Sequence, residues 1–527
     1  MASSGSEASA DLCILGSGIA GMLVAERALA GGRQVLLIER GTPLTFADRL
    51  RQNSHDDPLP FNRSPHFSPH EPQPVGPRGH GRQYAFFPVY NLGGSTNHFY
   101  GNMPRMHPRH FEMEAFAGGA SRRWPISYAE LEPYYLAAES RLQISGSSER
   151  TPFRGRFAYP LPPHRLSPSD RACEALFGAD HVMQVPTVRP PVALENRPRC
   201  CGSDRCDLCP VDSKGTALNT VFPAIRERVE LRTGLLATEV HCSGRRVRAV
   251  TAVDHTGKQV RIQAREFVVA CNGVDTPVLL LRSPTVPKHR SLGRHYMDHP
   301  VFHLAVYDRS FDAKPGYADS AQTGMLTTFF ERLGSDLPVS LLGEIHPSIL
   351  AKDAGEANRD VLIDDIIRRS LDPRNGGEGR LRERFRLMWG ATLNLWFQIE
   401  PQPMAEHTVA IARIDASGQA IPSIRLRYPS YFAQCVERVT AYIQSRLPKA
   451  EIRHLSTYPG SHHWMGATRM GNSPNDGSVD RDLRYHGLDN LHVLSASAFP
   501  SCSSTNPTLT LAALALRLGD RLAAPAV

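Results

Sequence analysis

The stretch that most constrains this chain lies near its start. Leu12, Cys13, Ile14 and Leu15 form a short apolar run, and Gly16-Ser17-Gly18-Ile19-Ala20-Gly21 follows at once. Residues 22–29 have helical composition. Val35-Leu36-Leu37-Ile38 is a second apolar run that ends in Glu39. The order strand, glycine turn, helix, strand predicts a βαβ unit over residues 11–39. Each glycine has its own task there. Gly16 permits the tight turn, Gly18 lets backbone approach a pyrophosphate, and Gly21 lets helix and strand pack closely. The helix N-terminus then faces the phosphates with its partial positive charge. Glu39, at the end of the second strand, is placed to accept a ribose 2′-hydroxyl and to disfavour a 2′-phosphate. The motif predicts dinucleotide binding without separating FAD from NAD.

The rest of the chain divides by composition. Its 527 residues allow two to four folding units. With 41% hydrophobic and 21% charged residues it is globular, which excludes a disordered, collagenous or coiled-coil chain. A formal charge of +8 permits anionic ligands without demanding nucleic acid. No apolar run has membrane-spanning length. The first ten residues lack a basic and an apolar region, so no secretory signal is read. The expected location is the cytoplasm, or the periplasm by co-export with a partner subunit.

A second strand leading to a glycine turn covers residues 266–273. Thr276-Pro277 then opens an apolar helix over 278–281, proline being well placed in a first turn. Residues 130–141 read as helix. Residues 42–83, rich in Pro, His, Arg and Asn, read as a long loop, and His55, His66, His70 and His80 as polar loop residues rather than metal ligands. Residues 160–198 are studded with proline and read as irregular. The basic run 380–386 reads as a solvated helix face. Residues 301–455 carry no legible motif.

Sequence 463–522 is strongly patterned. It contains His462-His463-Trp464-Met465-Gly466-Ala467-Thr468-Arg469-Met470-Gly471, then Ser478-Val479-Asp480, His486-Gly487-Leu488-Asp489-Asn490-Leu491, and Asn506-Pro507-Thr508-Leu509-Thr510 before a helix over 511–522. This run closely resembles the glucose–methanol–choline (GMC) oxidoreductases, flavoenzymes that oxidise alcohols. Gly93-Gly94-Ser95 resembles their flavin-contacting loop, and Gly293-Arg294-His295-Tyr296-Met297-Asp298-His299-Pro300 is a further match. Trp124-Pro125-Ile126 with Glu132-Pro133-Tyr134-Tyr135 resembles the sugar-oxidising branch that includes pyranose oxidase and bacterial FAD-dependent sugar dehydrogenases. The resemblance covers nearly the whole chain.

The resemblance implies an α/β fold: an FAD-binding Rossmann-like domain assembled from discontinuous segments, 8–105, 210–300 and 456–527. An α+β substrate domain with an antiparallel sheet, 301–455, is inserted, and 106–209 connects them. It also implies the site. His463 and Asn506 map to the pair opposite the flavin. The bare imidazole suits removal of a hydroxyl proton. The amide holds the same hydroxyl without competing for that proton. Flavin contacts are expected from Gly16, Gly18, Gly21, Glu39, Gly93, Gly94, Ser95, Asn97, His98, Val240, Ala270, Ser497, Pro507 and Thr508. His98 falls where some members carry a flavin-linked histidine. Ser495 stands where the family usually has Asp.

Cys200, Cys201, Cys206 and Cys209 crowd into ten residues. Such clustering points to a metal centre rather than a disulfide framework. Four thiolates suit iron–sulfur or zinc. Two adjacent cysteines do not easily reach one ion, and a three-thiolate set suits a [3Fe–4S] cluster. The segment resembles the cluster-bearing catalytic subunits of bacterial FAD-dependent glucose and fructose dehydrogenases, although their last spacing is one residue longer. Structural zinc and plain reduced thiols remain open.

The reading is therefore an FAD-dependent dehydrogenase of sugars, glycosides or polyols, passing electrons through a cluster to a cytochrome or quinone, with a small accessory subunit. One rival is an oxygen-using oxidase of pyranose-oxidase type. The other is a flavin-binding electron-transfer subunit without alcohol chemistry, against which the retained His463 and Asn506 argue.

Overall fold

The computed structural model describes residues 8–43, 90–113, 123–149, 157–202, 209–308, 322–330, 339–346, 392–416 and 418–524, with positions 45, 74–75, 82–83, 88, 121, 206 and 337. The loop histidines 55, 66, 70 and 80 and the basic run 380–386 lie outside the described residues. The principal elements are β1 (Ala8–Leu15), α1 (Ile19–Ala30), β2 (Val35–Ile38), α2 (Tyr128–Leu142), α3 (Pro168–Phe177), β3 (Val182–Gln184), β4 (Glu230–Arg232), β5 (Leu236–Ser243), β6 (Arg246–Val253) and β7 (Gln259–Val269). There follow α4 (Asp275–Arg282), β8 (Val301–Tyr307), β9 (Gly324–Leu326), β10 (Leu341–His346), β11 (Thr392–Ile399), β12 (Thr408–Ile414), β13 (Ala420–Arg425), α5 (Phe432–Arg446), β14 (Glu451–Tyr458), β15 (Leu491–Val493) and α6 (Thr508–Ala523).

The first sheet has the order β4-β2-β1-β7-β6-β5, with β15 beside β7. Pairings β1–β2, β1–β7, β2–β4 and β7–β15 are parallel. Helices must cover both faces of such strands, so the strands read as continuous apolar runs. Leu12–Leu15 and Val35–Ile38 are accordingly buried throughout. Helix α1 packs against α6, and both belong to the main core. The sheet thus joins the start of the chain, residues 230–269 and 491–493. α2 completes this layer. Its start is fixed by a capping box, Ser127 Oγ accepting the Glu130 N–H while Glu130 reaches back to the Ser127 N–H. The residues that resemble the sugar-oxidising branch are core fixtures here. Trp124 Nε1 donates to Ser501 Oγ at 3.1 Å, and the Tyr135 hydroxyl pairs with Thr510 at 2.7 Å.

The second sheet, β14-β8-β11-β10-β9-β3, is antiparallel throughout. Such a sheet can cover a core on one face and present polar side chains on the other. Its core face packs against α5 and α3 through Phe302, Phe397, Ile345, Val439 and Cys173. It takes β3 from the segment 106–209, and β14 runs across the division at 455.

Residues 160–198 are more regular than the prolines imply. Pro168 occupies the first helical turn of α3, where its missing N–H has no partner to lose. Ser167 and Asp170 close a reciprocal cap, with bonds of 3.1 and 2.7 Å. Reading proline only as a breaker hides this helix.

Candidate active site

One cavity of about 930 Å³ is lined by both sheets. Its cofactor half begins at the glycine turn. Gly16 has φ +108°, and a Cβ there would sit 2.6 Å from the Ala270 carbonyl oxygen. A Cβ on Gly21 would sit 2.2 Å from the Gly16 oxygen, so Gly21 is required by packing. Gly18 faces open space and lines the cavity, the place where backbone can meet a ligand. Glu39 lines the cavity while anchoring the turn. Its Oε2 accepts the Ser17 N–H (3.0 Å) and hydroxyl (2.7 Å), and its Oε1 accepts the Gly41 N–H (2.8 Å). Burial raises its pKa above the usual carboxylate value. A carboxylate offers about four lone-pair sites, so capacity remains for a ribose hydroxyl.

The other expected contacts divide into two groups. Gly94, Ser95, His98, Ala270, Pro507 and Thr508 line the cavity. Thr508 opens the sixteen-residue α6, whose N-terminus brings partial positive charge to the cavity. Gly93, Asn97, Val240 and Ser497 stand behind it. The Gly93 N–H donates to Ser17 Oγ at 3.2 Å, tying the flavin-type loop to the glycine turn. Asn97 Nδ2 turns inward to Asn91 Oδ1 (2.6 Å) and the Leu92 carbonyl (2.9 Å). Val240 gives its N–H to Ser283 Oγ at 2.8 Å, and Ala237, earlier on β5, lines the cavity instead. Ser497 is buried against Thr468 and Ser495, whereas Ser495 lines the cavity.

His463 and Asn506 meet at the cavity, with Asn506 Nδ2 3.3 Å from His463 Nε2. The far side of the ring is held by a residue the sequence reading quoted without a role. His299 Nδ1 lies 2.8 Å from His463 Nδ1, and His299 Nε2 lies 2.6 Å from the Ser503 carbonyl oxygen. A carbonyl only accepts, so His299 Nε2 carries the proton and its Nδ1 is bare. His463 Nδ1 therefore carries the shared proton, with Ser461 Oγ also 2.9 Å away. That leaves His463 Nε2 bare and accepting from Asn506. Burial, then the neighbouring His299, hold His463 well below its usual pKa, and burial lowers His299 to about 4. Both rings are neutral at pH 7. Asp298 Oδ1 fixes the backbone by accepting N–H groups from His299 (2.8 Å), Ser461 (3.0 Å) and His463 (2.9 Å). His462 also lines the cavity, and burial lowers its pKa to about 4.

Among the described residues, three metal-type donors come within 4.8 Å of one another only at Asp298, His299 and His463. The hydrogen bonds just given already occupy them. Cys206 and Cys209 are buried, Cys200 is partly buried and Cys201 is exposed. Arg189 Nη1 donates to Cys206 Sγ at 3.4 Å, and its Nη2 lies 3.5 Å from Asn102 Oδ1 at the cavity wall.

The opposite wall comes from the region without a motif. Val301, Glu344, His346, Trp396, Gln398 and Tyr458 line it. The available signal was the alternation of polar and apolar residues along β10 and β11, which is too short to stand out in an unaligned chain.

Comparison with known proteins agrees with this layout. GMC oxidoreductase family profiles match residues 186–301 and 429–515. The large subunit of fructose dehydrogenase from Gluconobacter japonicus is 28% identical over 98% of both chains. A 6‴-hydroxyparomomycin C oxidase from Streptomyces lividus is 28% identical over 97% of this chain and 91% of its own. The crystal structure of a pyridoxine 4-oxidase from Mesorbium loti superposes with a TM-score of 0.64, at 20% identity, over 97% of this chain and 98% of that one. No helix among the described residues is long and apolar enough to cross a membrane. The dinucleotide turn, the histidine–asparagine pair and these matches make the chain a member of the GMC oxidoreductases.

Proposed function

We propose that this enzyme oxidises an alcohol group of a sugar, glycoside or related polyol, with FAD in the glycine-lined half of the cavity. The observation that carries the reading is the bare His463 Nε2 beside the Asn506 amide, in one cavity with a dinucleotide turn. Gly18, open to that cavity, and Glu39, with spare acceptor sites, fit the cofactor. Bound FAD would supply the hydride acceptor.

The chain's own residues manage the proton. A substrate hydroxyl seated at the pair gives its proton to His463 Nε2. Asn506 Nδ2 donates to the same oxygen and holds it in place. His463 Nδ1–H remains on His299 Nδ1, which holds the ring in one orientation and one tautomer. The depressed pKa of His463 keeps the base unprotonated at neutral pH.

An iron–sulfur centre, if bound, would be held by Cys200, Cys201, Cys206 and Cys209, [3Fe–4S] being the type that three of them suit, and would supply a one-electron route to an external acceptor. A cluster spreads thiolates over several irons, so it does not need three sulfurs gathered at one point as zinc does. Arg189 supports the assignment by linking Cys206 to the cavity wall through Asn102. The likeness to a protein named as a large subunit supports an accessory subunit; the external acceptor proposed is a cytochrome or quinone.

An anaerobic spectrum, an iron assay and a sugar titration test all of this. Flavin bands bleached by sugar, with bound iron, are expected. Bleaching without iron, and peroxide formed under air, would replace the dehydrogenase by an oxygen-using oxidase. A fully flavin-loaded protein that no alcohol bleaches would leave only an electron-transfer subunit.

A further inference from the structure

The cavity wall opposite the glycine turn is one face of the second sheet. In register, Glu344 on β10 pairs with Trp396 on β11, and Val301 on β8 pairs with both Gln398 and Tyr458. Side chains alternate along strands. Trp396, Gln398, Glu344 and His346 therefore share the cavity face, and Leu395, Phe397 and Ile345 share the core face. A wall that only excluded water would be apolar on both faces. This one carries a carboxylate, an amide, an imidazole and an indole.

Their mutual bonds leave particular atoms over. Glu344 Oε1 accepts from Gln398 Nε2 at 2.5 Å, and Glu344 Oε2 lies 3.1 Å from His346 Nε2. The carboxylate accepts only, so it holds the Gln398 nitrogen toward itself and leaves Oε1 to other donors. Gln398 is 3% exposed, and its Oε1 has no partner among the described residues. The Trp396 Nε1–H, on the same strand face, has none among them either. The indole ring is fixed by stacking on Tyr458, with centroids 5.9 Å apart and planes 9° apart, and on His303 at 4.9 Å. Both residues line the cavity, and a buried acceptor and a buried donor without partners among the described residues are costly unless a ligand completes them.

We infer that this wall determines specificity. Gln398 Oε1 accepts from, and Trp396 Nε1 donates to, hydroxyl or amino substituents of a ring, away from the carbon that is oxidised. Glu344 is the positioning residue that fixes Gln398. The substrate class is a cyclic polyol, with or without an amino group, rather than a simple alcohol. The inference rests on the alcohol oxidation proposed above. A site built to bond a substrate hydroxyl rejects the analogue that lacks it, because its own polar atoms are then stranded.

The test uses the flavin-loaded enzyme and two sets of probes under anaerobic conditions. One set is D-glucose, D-fructose, D-glucosamine and myo-inositol. The other is cyclohexanol and cyclohexylmethanol. The best ring polyol should exceed the better mono-alcohol in kcat/KM by at least about 100-fold. Gln398→Leu should cut that ratio by about tenfold or more, mainly through KM. Trp396→Phe keeps the ring, removes the N–H, and should cut it in the same sense. Flavin content and melting temperature identify any variant that merely fails to fold. A larger loss for D-glucosamine than for D-glucose in Glu344→Gln would assign the donor to an ammonium, and an equal loss to a hydroxyl. Either result supports a donor-reading wall. Mono-alcohols matching the ring polyols would overturn the inference, as would an unchanged ratio in two folded variants. A wild-type flavin bleached by neither set would instead remove the underlying alcohol oxidation.

Discussion

The two walls of the cavity are built on opposite principles. The cofactor wall is made of backbone: Gly16, Gly18, Gly94 and the open end of α6. The substrate wall is made of side chains on a sheet face: Glu344, Trp396 and Gln398. A backbone wall needs glycine at fixed spacing, because any Cβ would block either the turn or the ligand. A side-chain wall needs only a regular strand beneath it, and accepts any side chain whose polar atoms suit the substrate. The first is therefore rigid in sequence and general in chemistry. The second is free in sequence and selective in chemistry.

Gly21→Val should test the backbone wall most severely. Its Cβ would collide with the Gly16 carbonyl oxygen, and neither atom can move without opening the helix–strand contact. Little soluble protein and no bound flavin are expected, read from yield and the visible flavin band. Retained flavin would show that the turn tolerates more than its geometry allows.

His463→Ala stands where the walls meet. It should keep flavin and lose about 10²- to 10⁴-fold in turnover with alcohols. Turnover close to wild type would remove the base assignment. His299→Phe should have a smaller effect, up to about 10²-fold in kcat with less change in KM, because the ring of His463 loses its fixed tautomer. A shifted pH profile in that variant separates a positioning role from loss of packing, which would lower the melting temperature alone.

The smallest effect per residue is in acid stability. His164, His299, His303, His407 and His462 have pKa values lowered by burial to about 4. The unfolded chain binds these protons near pH 6.5, and the folded chain does not. Stability from these groups is complete above pH 6.5 and is lost as pH falls toward 4. None of the five lies on a strand of the first sheet. The melting temperature should fall over that window, and hydrogen exchange should rise sooner in the second sheet. Uniform exchange would show that the two halves unfold as one.

Legibility in the sequence follows the same division. The βαβ unit over 11–39 could be read because apolar runs, glycines and an acidic residue occur in an order that few other structures require. The helix at 511–522 showed its period, and the structure extends it to Thr508–Ala523. Helix α3 stayed hidden because one proline can either stop or start a helix, and its cap depends on Ser167 and Asp170 folding onto each other. Ala237 rather than Val240 lines the cavity, and the pairing register of β5 shifts between Ala237 and Glu239, which an alternation read from the sequence does not foresee.

What the sequence determined alone is local: backbone freedom at Gly16 and Gly18, burial along β1 and β2, and the residue types of the histidine–asparagine pair. Those features are imposed within a few residues by sterics and hydrophobic period. Only the tertiary structure decided which nitrogen of His463 is bare, because the answer comes from His299, 164 positions away, and from the Ser503 carbonyl behind it. It likewise decided that Gln398 and Trp396 face the same cavity as the glycine turn. A lone pair or an N–H has no chemical assignment until folding settles what stands opposite it.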